Sequence, residues 1–314
     1  MLEDSQIIIV DRKKISEYEM EYRIGGIQGD GVMSCIDVYY GIQVIYNKFH
    51  SFDTPINREI NSSYIEINHC RRGKFECLYN KNYYAHLCEG DLSINRWSLQ
   101  RMGDSFPLGY YEGVEILIDI QKARKNELLA NFHIDIDFLA KKLTLNDNIY
   151  ILRSTQQIQH ICLEMYEIDK KMKVDYLKIK VLELLLFLSH NDFEMMQNQK
   201  RYYPKKQIET IKAIKQYLSE HLSSKINFDV LAKQYHINIH TLRKSFKEIY
   251  GVPIYQWFKQ YRLEYSMELL RNTDLSIIDI ANKVGYSNPS KYSAAFYQLM
   301  NMTPQQYRKS FGEI

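Results

Sequence analysis

The C-terminal third of the chain carries one pattern twice. The first copy runs from Phe228 to Phe246 (FDVLAKQYHINIHTLRKSF), the second from Ile277 to Phe296 (IIDIANKVGYSNPSKYSAAF). Ala232 aligns with Ala281 at an offset of 49 residues, and Phe246 with Phe296 at an offset of 50. A repeat of this length constrains the fold, because each copy must be one supersecondary unit. In each copy a small residue, Ala232 or Ala281, stands where two helices would cross. A short turn follows, with Ile237 or Tyr286 as the apolar plug that holds the interhelical angle. Gly285 frees the second turn to take positive φ. Asn238 and Ser287 suit the caps of the helices that follow. Leu242 and Phe246, like Tyr292 and Phe296, recur at helical spacing and would anchor those helices inward. The pattern predicts two helix-turn-helix units.

The residues left facing outward on the first second-helix are His240, Thr241, Arg243, Lys244 and Lys247. Arg and Lys donate to guanine edges and pair with phosphates, so this face has the chemistry of a duplex-reading surface. On the second copy the outward set is Ser290, Lys291 and Ser293, with Lys291 its one full charge. The competing reading is a pair of ordinary helical hairpins with solvated polar faces. Charge distribution weighs against it. Residues 204–314 hold 16 Lys and Arg against 9 Asp and Glu, a balance of +7, while the whole chain carries only +3. The excess positive charge lies in the segment with the repeats, as a phosphate-binding surface requires.

Residues 205–312 resemble the C-terminal DNA-binding domain of the AraC/XylS family of transcription regulators. The resemblance rests on the segment Leu242 to Lys247, on Gly251 closing the first unit, and on Tyr261-Arg262-Leu263 with Leu269-Leu270 between the units. It extends through Ile277 to Tyr286 and the tail Thr303 to Arg308, which includes Pro304. It implies seven helices, with units at about 228–248 and 277–299 held apart by a linker helix at about 254–271. By position, its first-unit base readers fall on His240, Arg243 and Lys244. The second unit departs from the family pattern: Ala294 stands where a basic residue is usual, Tyr297 replaces a Lys, and Asn301 replaces the closing Gly. Asn tolerates the left-handed conformation, so that last change is mild. The first unit is therefore expected to supply most base specificity and charge, the second weaker contacts.

At 314 residues the chain has room for two or three domains, and 45% hydrophobic content suffices for packed cores. Residues 1–120 read as short alternating strands, among them Ser63 to His69, Gly73 to Tyr79 and Glu89 to Asn95, separated by turn signals. That spacing predicts an antiparallel β barrel or sandwich. Glu66 to Gly73 followed by Gly90-Asp91-Leu92 resembles the cupin-like sensory barrel that precedes the DNA-binding domain in many AraC relatives. A cupin would admit metal-dependent enzyme chemistry, which needs converging His and carboxylate ligands. His50, His69 and His86 stand singly, with no His-x-His pair, so neither a metal site nor catalytic residues nor a cofactor are expected. Tyr39, Tyr40, Tyr79, Tyr83, Tyr84 and Trp97 offer stacking surface and Arg71, Arg72 and Arg96 positive charge, yet ordinary core positions explain the same aromatics. The effector-binding residues stay unassigned.

Residues 121–203 switch to helical periodicity and end in a polar linker, His190 to Tyr203. Ser154 is a candidate helix cap. Leu177, Val181, Leu184, Leu185 and Leu188 form one apolar stripe, and Ile179, Leu182 and Leu186 a second. A face this broad must be covered on more than one side. The family resemblance implies dimerisation through the five-residue stripe, against a competing reading of purely internal burial. Five scattered cysteines, the absence of a signal-peptide layout at the N-terminus, and an apolar run too short to span a bilayer predict a cytoplasmic bacterial protein without a membrane partner.

The sequence thus predicts a multidomain α+β protein: a cupin-like barrel at 1–120, a helical dimerisation and linker region at 121–203, and an all-α DNA-binding domain at 204–314. Its expected function is sequence-specific regulation of transcription as a ligand-responsive activator. The expected partners are double-stranded promoter DNA, RNA polymerase, an unidentified small-molecule effector and a second copy of the chain. The alternatives are a metal-dependent cupin enzyme with an accessory DNA-binding module, and a ligand-independent regulator whose barrel only dimerises.

Overall fold

The alternating segments of the first half pair as antiparallel strands throughout. In this computed structural model all residues are described except 1–5, 8, 27–28, 53–55, 58–63, 80–81, 97–101, 145–149, 153–154, 191–201 and 312–314. Two compact units emerge, residues 1–205 and residues 206–314.

The strands of the first unit begin with β1 (Gln6–Ile7), β2 (Ile9–Lys14), β3 (Glu19–Gly26), β4 (Gly29–Tyr39), β5 (Ile42–Ser51) and β6 (Ile56–Asn57). They continue with β7 (Tyr64–Tyr79), β8 (Tyr83–Cys88), β9 (Leu92–Arg96), β10 (Met102–Ser105), β11 (Tyr111–Asp119), β12 (Tyr150–Leu152) and β13 (Tyr202–Pro204). The main order is β12-β9-β7-β11-β5-β4-β3-β2, with β1 and β6 as a separate ribbon. The antiparallel β architecture matches the sequence expectation, but the sheet does not close into a barrel: β2 and β12 are the two ends of the path. Strand β7, 16 residues long, is the reason for the split. Its first part pairs with β9 and β11, whereas Lys74 to Tyr79 pairs with β8 and continues a second layer. The end of the expected linker is itself a strand, since Tyr202 to Pro204 pair with Tyr83 to Ala85.

Among the described residues of this unit five α-helices form, α1 (Ile120–Ala123), α2 (Glu127–Asn131), α3 (Ile136–Thr144), α4 (Gln156–Glu164) and α5 (Lys173–His190), with one turn of 3-10 helix at Lys170–Met172 before α5. Ser154 lies outside the described residues; Thr155 caps α4, its hydroxyl accepting from the Ile158 amide at 3.2 Å. The helices cover one sheet face, joining Ile65, Ile67, Val114, Ile116 and Ile118 in one core. All five residues of the predicted dimerisation stripe, Leu177, Val181, Leu184, Leu185 and Leu188, lie in that core at 0–1% exposure. Each contributes roughly 1.5–3 kcal/mol by leaving water. A stripe already spent on the sheet has no surface left for a second subunit, so that assignment is corrected. The outward apolar residues of α5 are instead Ile179, 60% exposed, and Leu186, 37% exposed.

The second unit is all helical: α6 (Lys205–Glu220), α7 (Phe228–Gln234), α8 (Ile239–Tyr250), α9 (Ile254–Asn272), α10 (Ile277–Lys283), α11 (Pro289–Met300) and α12 (Pro304–Lys309). No helix among the described residues is long and apolar enough to cross a membrane.

Candidate nucleic-acid interface

The first helix-turn-helix is built from local chemistry. Asn227 caps α7, accepting from the amides of Asp229 and Val230, and Leu231 and Ala232 bury its inner face. The turn closes where the Ile237 amide donates to the Ala232 carbonyl at 3.0 Å, with His236 at φ +52° between them. Asn238 then caps α8, its side-chain oxygen accepting from the His240 amide at 2.8 Å. Leu242, Ser245, Phe246 and Ile249 turn inward, leaving His240, Arg243, Lys244 and Lys247 exposed and Thr241 half-buried. Gly251 ends the helix at φ +80°, donating to the Lys247 carbonyl.

The second unit repeats this geometry. Ser276 caps α10, Ile280 and Ala281 are buried, and the Tyr286 amide donates to the Ala281 carbonyl at 2.8 Å across Gly285 at φ +78°. Ile237 and Tyr286, the two plugs, are both half-buried. The cap of α11 is Asn288, which accepts from the Ser290 and Lys291 amides, not the predicted Ser287. The shift of one residue follows from Pro289: it takes the first helical position, where its missing N–H is no loss, and so the cap must precede it. Tyr292, Ala295 and Phe296 are buried, while Ser290, Lys291, Ala294 and Tyr297 are exposed and Ser293 is half-buried. Asn301 closes α11 in the left-handed conformation at φ +54°, the counterpart of Gly251.

Helix α9 joins the two copies. At 19 residues it spans roughly 28 Å. Its first half meets the first unit, where Trp257 lies 5.5 Å from Phe246 and Phe258 lies 6.5 Å from Phe228, ring centre to ring centre. Its second half enters the second core through Leu263 and Leu270. Helix α12 closes that end: Thr303 and Gln306 form a reciprocal cap, with Pro304 buried at the first position, and Arg308 donates to the Leu275 carbonyl at 2.6 Å.

One side chain spans both units. Arg262 of α9 donates to the Ser224 carbonyl at 2.6 Å, ahead of the first unit, and lies 4.1 Å over the Phe258 ring. Beneath it is the second turn, where a Cβ on Gly285 would stand 2.6 Å from the Arg262 guanidinium and 2.4 Å from the Leu222 carbonyl. Gly285 thus serves twice, supplying positive φ and leaving room for Arg262. Beside this contact a hollow of about 760 Å3 opens between the units, lined by Lys225, Lys259, Arg262 and Lys291 among others and by no Asp or Glu. Sequence reasoning marked Arg262 only as part of a linker motif and passed over Lys225 and Lys259, because their positions become meaningful only when residues 224, 262 and 285 meet.

In the first unit the sheet face turned away from the helices carries buried polar groups. Glu66 pairs with Asn95, and Glu115 with Asn68, directly across neighbouring strands. All four are at most 5% exposed. Tyr111 donates to Asn68 at 2.7 Å, and Asn47 to Glu115 at 3.2 Å. Both polar atoms of the Asn95 amide are buried with no hydrogen-bond partner among the described residues. The predicted aromatic surface does not assemble: Tyr39 bonds the Lys178 carbonyl, Tyr84 is buried, and Tyr40 and Tyr83 are exposed. Trp97 and the side chain of Tyr79 lie outside the described residues. The three histidines are apart. His50 is exposed against Tyr110, His69 faces Tyr166 at 3.1 Å, and His86 bonds Glu76 at 2.7 Å. Among the described residues no three His, Cys, Asp or Glu side chains are grouped to hold a metal.

Residues 231–310 match the family described as a helix-turn-helix domain. Similar proteins include the HTH-type transcriptional activator RhaS of Escherichia coli, 29% identical over 93 residues, which cover 30% of this chain and 34% of that protein. The F1 operon positive regulatory protein of Yersinia pestis is 37% identical over 100 residues, covering 32% of this chain and 33% of that protein. This chain therefore aligns with about a third of the length of these curated relatives. Among solved structures, the C-terminal domain of AraT, a response regulator from Geobacillus stearothermophilus, is similar at 28% identity and a TM-score of 0.31, covering 32% of this chain and 84% of that one. Residues 231–310 therefore belong to the helix-turn-helix domain family, the part of the chain that these relatives share.

Proposed function

We propose that this chain is a DNA-binding transcription regulator that activates genes in response to a small molecule. The observation that carries the reading is the duplicated turn, 232 to 237 and 281 to 286, on either side of one rigid helix. It gives two recognition helices on one chain, one of them with an exposed basic face. On this reading α8 enters one major groove through His240, Thr241, Arg243, Lys244 and Lys247. Helix α11 enters the next through Ser290, Lys291 and Ser293. The relatives' names, a transcriptional activator and a positive regulatory protein, support activation and thus contact with RNA polymerase. The effector meets the buried polar face of the first unit around Asn68, Asn95 and Glu115, where an unpartnered amide awaits a donor and an acceptor. A second copy docks on the outer face of α4 and α5, where Leu163, Ile179 and Leu186 are exposed beside a hollow of about 420 Å3.

Genome-wide mapping of bound sites tests the DNA reading and yields the operator. With that operator in hand, Arg243→Ala is expected to relax preference at one base position, costing about 1–3 kcal/mol if a guanine is read there. A mutant that loses affinity equally for all sequences would remove Arg243 from base recognition.

A further inference from the structure

The second recognition helix exposes one full charge, Lys291, yet the hollow beside it gathers three more cationic side chains: Lys225 from the loop before α7, and Lys259 and Arg262 from α9. Arg262 is engaged with the Ser224 carbonyl. None of the three lysines makes an ion pair among the described residues, and no carboxylate lines the hollow to offset them. Like charges held in one concavity repel, and an anion entering it relieves that repulsion.

The hollow's position identifies the anion. Lys291 and the cap Asn288 belong to the N-terminal turn of α11, the part of a recognition helix that approaches base edges. Lys225 lies three residues before Phe228, the first residue of α7, and the first helix of such a unit crosses the DNA backbone. A duplex held by both recognition helices must pass the gap between them. We propose that this hollow seats the sugar-phosphate backbone between the two half-sites, with Lys225, Lys259 and Lys291 each facing a phosphodiester oxygen. The charge absent from the face of α11 is thereby supplied from the loop and the linker helix. This inference rests on the DNA-binding reading above and adds Lys225 and Lys259 to its interface.

Phosphate contacts are independent of sequence, so a random 30-base-pair duplex suffices as probe. Fluorescence anisotropy across a KCl series gives the slope of log K against log salt, which falls by about 0.9 for each phosphate contact removed. Lys225→Ala and Lys259→Ala in the full chain are each expected to reduce the slope by about one unit, and the double variant by about two. Lys259→Arg should keep the wild-type slope, and Lys171→Ala, exposed in the first unit, should leave it unchanged. Unaltered slopes in both alanine variants, with wild-type binding intact, overturn the inference and leave the DNA reading standing. Saturable thermal stabilisation by inorganic phosphate, lost in Lys259→Ala without any change of slope, assigns the hollow to a free oxyanion and equally overturns it. A wild-type chain that binds neither this duplex nor any mapped site overturns the reading beneath both.

Discussion

His236 and Gly285 hold the same place in the two turns, at φ +52° and +78°, but only one of them is glycine. A side chain in the left-handed region costs about 1–2 kcal/mol. His236 is exposed, so removing it forfeits little packing. His236→Gly is therefore expected to raise the stability of the helical C-terminal unit, residues 206–314, by about 1 kcal/mol, after the added freedom of the unfolded chain is subtracted. A urea midpoint that rises at constant m-value checks it; a midpoint that falls would mean that the imidazole offsets its own strain through contacts. The contrast also marks what single residues reveal. Gly285 announces its turn, since glycine is the usual occupant of positive φ. Histidine carries no such signal, and only its alignment with Gly285 exposes it. Choosing between Ser287 and Asn288 as a cap needs attention to Pro289, whose ring decides where the helix begins.

Helix α5 shows how far periodicity reaches at the scale of an element. Its stripes are visible in the sequence, and the stripe of Leu177, Val181, Leu184, Leu185 and Leu188 is the buried one. Periodicity states that a face is covered but not by what, and here the cover is the chain's own sheet. The neighbouring residues Leu185 and Leu186 consequently make a clean pair, at 0% and 37% exposure. Leu185→Glu should unfold the first unit, because an unpaired carboxylate cannot be accommodated in that core. On the proposed docking of a second copy against α4 and α5, Leu186→Glu should leave the fold intact and weaken self-association at least tenfold, about 1.4 kcal/mol. Sedimentation velocity across a concentration series decides the matter; unchanged association in Leu186→Glu would place the contact between copies elsewhere. Strand β7 was legible only in part for a related reason. Alternation marks its residues as strand, whereas its passage from one layer to the next depends on partners distant in sequence.

Across the molecule, the helical C-terminal unit was more legible than the sheet because its signals are local caps, turns and helical spacing. Sheet closure depends on which edges meet, and no local pattern encodes that. The buried polar face of the first unit escaped notice for the same reason, since Asn95, Asn68 and Glu115 come from three strands. The most direct global signature of this unit is its response to acid. Burial pushes the His69 imidazole down to about 4, so it stays neutral in the fold. An unfolded chain takes up that proton near pH 6.5. Stability from this group is therefore full above about pH 6.5 and is lost as pH falls toward 4, by up to about 3 kcal/mol. Urea midpoints between pH 7 and 4 should fall in the wild type and flatten over that stretch in His69→Gln. An equal fall in the variant would attribute the acid response to other groups.

On the DNA-binding reading proposed above, Arg262, wedged between the Ser224 carbonyl and the bare backbone of Gly285, bears on how target sites can evolve. Two readers locked at one separation cannot slide apart to follow a lengthened site. Inserting one base pair between half-sites about 10 base pairs apart would both displace and rotate the second reader's target. Substitutions in a half-site remove single contacts, but an insertion or deletion between half-sites disengages a whole helix. Promoters under such a protein should accordingly diverge by point changes, most freely in the half-site under α11, while the length between them stays fixed.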